Sequence, residues 1–144
     1  MQPTVRIDGL RSVYNDGMND AELLKQARNG LLSLHKSLVD LERARYEHAN
    51  GPVTSGQFLN ILLEDPNFSW LRQFSTLIVD IDEMFAQKDG YSDEAVSGHL
   101  QKLKELVGRS GFDGDFRQRF ESAINDDAQV AAKEGELRRL LDEQ

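Results

Sequence analysis

Three histidines, His35, His48 and His99, and a scatter of carboxylates are the side chains here that could ligate a metal or move a proton. On a helix advancing about 100° per residue, with Leu38 as zero, Arg45 falls about 20° from the centre of an apolar stripe, Glu42 about 40° and His35 about 60°. By the same construction His99 lies about 40° from Leu103, and Asp82 about 40° from Ile78, each at the edge of its own stripe. His35, Glu42, Asp82 and His99 could therefore meet inside a helical bundle, where imidazoles and carboxylates on facing helices bind a metal or small ligand. The spacing opposes the di-iron form of such a site, which needs Glu-x-x-His on two helices, because no histidine has a Glu three residues before it. The structural alternative is a polar network of His35, Glu42, Arg45 and Asp82. In it Arg45 pairs with Glu42 or Asp82, and each histidine satisfies one buried carbonyl.

Other chemistries fit less well. Histidine-phosphotransfer modules are also small acidic helical bundles presenting one histidine, followed closely by Leu, Lys and Gly. The stretch His99-Leu100-Gln101-Lys102-Leu103 has its lysine in the third place and no glycine after it. His99 also belongs to an apolar face, where a phosphoacceptor is out of reach of its donor. No serine sits in a Gly-x-Ser-x-Gly elbow. The glycines of Gly108-x-x-Gly111-x-x-Gly114 have neither the following lysine nor the preceding strand of a phosphate cradle, and are expected to form turns. The absence of cysteine removes thiol nucleophiles, disulfides and Cys-ligated metals. The expectation is a protein without enzymatic activity and without a cofactor.

Charge bears on partners. Lysine and arginine total 17 against 25 aspartates and glutamates in 144 residues, a net charge of −8. Basic residues come in pairs with acids close by, as on solvated helix faces, so neither nucleic acid nor an anionic membrane surface is an expected partner. Residues 1–10 lack a basic segment followed by an apolar stretch, and no later run has the ~18 apolar residues of a membrane span. A cytoplasmic location is expected, and the sequon Asn67-Phe68-Ser69 is expected to be fortuitous.

The elements that must position these residues are helical. Residues 1–19 hold Val5, Ile7, Leu10 and Val13 in no sustained period, so a loosely held arm is expected, with room for a short strand at 5–7. From Asp20, an N-cap candidate, Leu24, Ala27, Leu31, Leu34, Leu38 and Leu41 recur at alternating spacings of three and four, predicting a helix to about Ala49. Asn29-Gly30 marks a possible kink within it. Thr54 and Gln57 have the form of a capping box before Phe58 to Leu63. Asp65-Pro66 supplies an N-cap and N1 proline for a core helix through Leu71, Phe74, Ile78, Ile81 and Phe85. Ser92 opens a helix through Val107 that should stop near Gly108 to Gly111. Phe112, Phe116, Phe120 and Ile124, four apart, form one inward ridge of a further helix. A last helix carries Val130, Leu137, Leu140 and Leu141. The fold class is all-α, an irregular bundle of about five or six helices, with residues 20–144 as a single domain.

Three stretches, LHKSLVDLERARYEHANGPV at 34–53, DPNFSWLRQFSTLIVDID at 65–82 and FRQRFESAINDDAQVAAKEGELRRLL at 116–141, resemble a family of small uncharacterised all-helical bacterial proteins. They cover less than half of the chain, and Gln73 stands where the family pattern has a proline. The resemblance implies a bacterial cytoplasmic origin and a helical fold, and it implies no activity. It draws attention to His35, Glu42, Arg45, Tyr46 and Trp70 as members of the shared stretches.

The reading that follows is a non-enzymatic helical module that binds a protein partner or itself, including as a homodimer, through an apolar groove rimmed by acids. Phe58, Leu62, Trp70, Phe112 and Phe116 are the candidate contact residues, because so many apolar side chains in a small bundle are expected to leave some surface uncovered. The competing class is the metal-binding or small-ligand bundle around His35, Glu42, Asp82 and His99.

Overall fold

A computed structural model describes residues 19–142, which form six α-helices linked by short connections, with no strand among the described residues. The expected arm lies outside the described residues except for Asn19. Helix α1, Asp20–Asn50, begins one residue earlier than the sequence suggested: Asn19 is the cap, its side-chain oxygen accepting from the Glu22 N–H at 2.8 Å. At about 46 Å it is the spine of the molecule. Leu24, Ala27, Leu31, Leu34 and Leu38 are all 0% exposed, as their spacing requires. The helix runs unbroken through Asn29-Gly30. The missing side chain at Gly30 serves packing instead, since a Cβ there would sit 3.1 Å from Leu137 Cδ1 on the last helix.

Helix α2, Ser55–Glu64, starts at the expected capping box, with Gln57 N–H donating to Thr54 Oγ1 and Thr54 N–H to Gln57 Oε1. The single core helix expected from Asp65-Pro66 is divided. A 3₁₀ segment, Pro66–Leu71, precedes α3, Arg72–Phe85. Three residues per turn place Phe68 and Leu71 on one side, and the tighter winding also lets Trp70 go inward, so all three are buried.

Helix α4, Asp93–Gly108, is capped by Ser92 and ends on Arg109, whose φ of 63° lies in the left-handed region usually left to glycine. Helix α5, Gly114–Asp126, is capped by Asp113, so Phe112 stands just ahead of it rather than within it. Its ring still stacks on Phe116 at 4.5 Å between centroids. Asp127 Oδ1 accepts from the Val130 N–H at 3.0 Å and opens α6, Ala128–Asp142.

Helix α1 packs against α6, α4 and α3, α5 lies on α6, and α2 rests on the 3₁₀ segment. At the centre, Trp70, Phe74, Phe116 and Phe120 form an aromatic knot. Phe74 and Phe120 meet edge to face at 5.3 Å, and Trp70 lies 6.0 Å from both Phe74 and Phe116. None of the described helices is long and apolar enough to cross a membrane.

Candidate functional site: a groove between the third and fourth helices

The polar residues singled out from the sequence do not converge. Arg28, His35 and Glu42 follow one another at seven-residue steps along α1, about 10 Å apart. Asp82 is fixed at the Arg28 level by two hydrogen bonds, 2.9 Å from Nε and 2.8 Å from Nη2. Those bonds and the adjacent negative charge raise the Arg28 pKa further, against a smaller opposing effect of burial. Asp82 is thus about two turns from His35 and four from Glu42 along the spine, far beyond a common coordination sphere.

Arg45 joins Glu42 at 3.4 Å and reaches Asp126 at 2.8 Å, at the end of α5, rather than Asp82. Of the expected network of His35, Glu42, Arg45 and Asp82, the Arg45–Glu42 pair is present, with Asp126 as the second partner of Arg45, whereas Asp82 pairs with Arg28 and the His35 imidazole stands apart. His35 leans on Phe74 at 6.4 Å, and burial alone pushes its pKa down. Among the described residues no group of three or more His, Asp or Glu is placed to hold a metal ion. His99 sits elsewhere, between α3 and α4.

The expected contact surface also changes. Phe58, Trp70 and Phe116 are 2%, 4% and 4% exposed and belong to the core, because the knot and the 3₁₀ segment give them aromatic neighbours from four elements. Leu62 is half-buried on α2, and Phe112 half-buried at the start of α5. Phe112 opens on a concavity.

That concavity lies between α3 and α4. A cleft of about 450 Å³ near the α3–α4 turn and another of about 180 Å³ nearer α5 lie end to end between the two helices, with Asp80 and Lys102 lining both. Buried Leu77, Met84 and Leu106 form its apolar floor, with half-buried Ala95 and Phe112. The rims are polar: Gln73, Thr76, Asp80 and Glu83 from α3, with Gln87 just beyond its end, face His99, Lys102 and Glu105 from α4. Recurrence at three and four residues on both helices explains the shape, since each contributes the polar flank of its own stripe and only the inner residues interlock. Tyr91, in the connecting turn, closes one end and packs edge to face on Phe85 at 5.0 Å. His99 Nδ1 is buried without a hydrogen-bond partner.

The sequence offered Phe112 and His99 but not the remainder, because Asp80, Lys102 and Thr76 read as ordinary solvated positions until two helices are set side by side. No family model, curated protein or solved structure matches the chain.

Proposed function

We propose that the chain is a non-enzymatic interaction module whose α3–α4 groove receives an amphipathic helix of a protein partner. The observation that carries this reading is the alignment of the two clefts along α3 and α4, with Asp80 and Lys102 lining both. From Gln73 to Met84 the clefts follow roughly 16 Å of α3, the length of about three turns of a ligand helix laid alongside it. Its apolar floor accepts the stripe of such a helix. Asp80, Glu83 and Glu105 outnumber Lys102 on the rims, so the ligand helix carries basic residues beside its stripe.

Self-association is the second reading. Leu59 and Leu63, one turn apart on α2, are 55% and 60% exposed and form an apolar ridge.

The test immobilises the full chain and compares proteins retained from native-host lysate by wild type, by a Thr76→Arg/Ala95→Arg variant that fills the groove, and by Gln118→Arg on α5 as a surface control. A near-stoichiometric protein held by wild type and control, and weakened in the groove variant by about 2 kcal/mol or more, supports the proposal. A protein held equally by all three, or none held by folded bait, speaks against it. Sedimentation across micromolar concentrations decides the second reading: a dimer dissolved by Leu59→Glu/Leu63→Glu moves the interface to α2.

A further inference from the structure

The α3–α4 groove has a candidate occupant within the chain itself. Lys25 Nζ lies over the Phe85 ring at 5.2 Å, Arg28 holds Asp82 at 2.8 Å, and His35 meets Phe74 at 6.4 Å. Rising numbers on α1 thus meet falling numbers on α3, and the two helices are antiparallel. Asn19, six residues and about 9 Å of axis before Lys25, accordingly leaves the fold at the end where α3 turns into α4. The wider cleft opens at the same end, with Gly90 and Tyr91 in its lining.

Eighteen residues of sequence precede Asn19. Tyr14 is five residues from Asn19, a reach of about 17 Å at full extension, against the ~10 Å width of a helix to be rounded. The stretch before it need cover only the roughly 16 Å of the clefts. Ten residues, Val5 to Tyr14, do so as a helix of about 15 Å, or with length to spare when extended. Entry beside Tyr91 directs this stretch toward Phe112, with Val5 at the far end.

Charge and polarity match as well. Asp80, Glu83 and Glu105 on the rims outnumber Lys102, above a floor that includes Leu77 and Met84. In a chain of net charge −8, residues 1–15 carry Arg6 and Arg11 against the single acid Asp8. Val5, Ile7, Leu10, Val13 and Tyr14 are interleaved with them, so the segment combines the apolar and basic side chains that the groove asks of a partner helix. A tethered segment meets its site at an effective concentration of about millimolar, and modest contacts then suffice.

We infer that residues 5–14 of this chain occupy the α3–α4 groove and must leave it before a partner helix enters. This is an autoinhibitory contact, and its regulatory meaning rests on the reading of the groove as a helix-receiving site.

The chain has no cysteine, so Thr4→Cys provides one attachment point for a nitroxide spin label on the full ¹⁵N-labelled protein. Broadening is expected to be strongest at the Gln73 and Glu105 amides, at the end of the groove remote from Asn19. Both Ile7→Glu/Leu10→Glu in the arm and Thr76→Arg/Ala95→Arg in the groove should abolish it. Broadening confined to the α3–α4 turn, or spread evenly over the surface, overturns the contact. If it disappears when the labelled chain is diluted into excess unlabelled chain, the arm sits on a second copy and the intramolecular contact is overturned too. A synthetic peptide of residues 1–18 reads the competition: it should shift the groove amides of the Ile7→Glu/Leu10→Glu chain at about tenfold lower concentration than those of wild type. Equal affinities overturn the inhibition. The lysate experiment fails independently, since a docked arm with no retained protein removes the partner reading alone, and a retained protein without label broadening removes the arm alone.

Discussion

The side chains that looked most capable of chemistry are dispersed by their partners, and the consequences are measurable residue by residue. Arg45 bridges Glu42 and Asp126 with a side chain 36% exposed, so solvent screens the pair. Arg45→Ala is expected to cost about 1 kcal/mol in urea unfolding, not the roughly 3 to 5 kcal/mol of a dry core ion pair. His35 has a pKa below its ordinary value through burial, so the unfolded chain takes up its proton first as pH falls. Its contribution to stability is therefore constant above the unfolded pKa of about 6.5 and declines below it, toward the lower folded pKa. The urea midpoint of wild type should fall between about pH 7.5 and 5.5 by this term, and His35→Gln should flatten that slope. The same variant loses the ring contact with Phe74, about 1 kcal/mol at the upper pH.

At the scale of elements, the helices obey local rules and their meeting points obey space. Capping at Thr54, Ser92 and Asp113 follows from side chains that accept the orphan N–H groups of a first turn. Gly30 looked like a place for α1 to bend, yet it marks a close approach of α6, with Leu137 against its backbone. Gly30→Val should destabilise by roughly 1 to 3 kcal/mol, because a branched side chain must displace a buried leucine, and thermal unfolding will register it. A sequence signal for the buried carboxylate existed as well. Val130, Glu134, Leu137 and Leu141 recur at four, three and four, so Glu134 occupies the apolar stripe of α6 and is carried inward with it. The charge was legible as misplaced; what it would meet was not.

For the whole molecule, stability rests on the aromatic knot that ties the 3₁₀ segment, α3 and α5 together. Phe74, 0% exposed and in contact with Trp70, Phe116, Phe120 and His35, is its centre, and Phe74→Ala should cost about 3 to 5 kcal/mol in chemical denaturation. Loss on that scale consumes much of the ~5 to 15 kcal/mol that holds a domain folded. The sequence by itself determined the helical class, most helix limits and the buried face of most helices, since periodicity and capping act over neighbouring residues along one chain. It also carried the apolar surplus of α2, seen in exposed Leu59 and Leu63. Only the tertiary structure decided that Asp82 pairs with Arg28, that Arg45 turns to Asp126, that Phe58, Trp70 and Phe116 are core, and that a groove opens between α3 and α4. Helix periodicity states which side faces inward. Which residues of another helix stand opposite is fixed by crossing geometry and chain connection, and these arise only when all six helices compete for one interior.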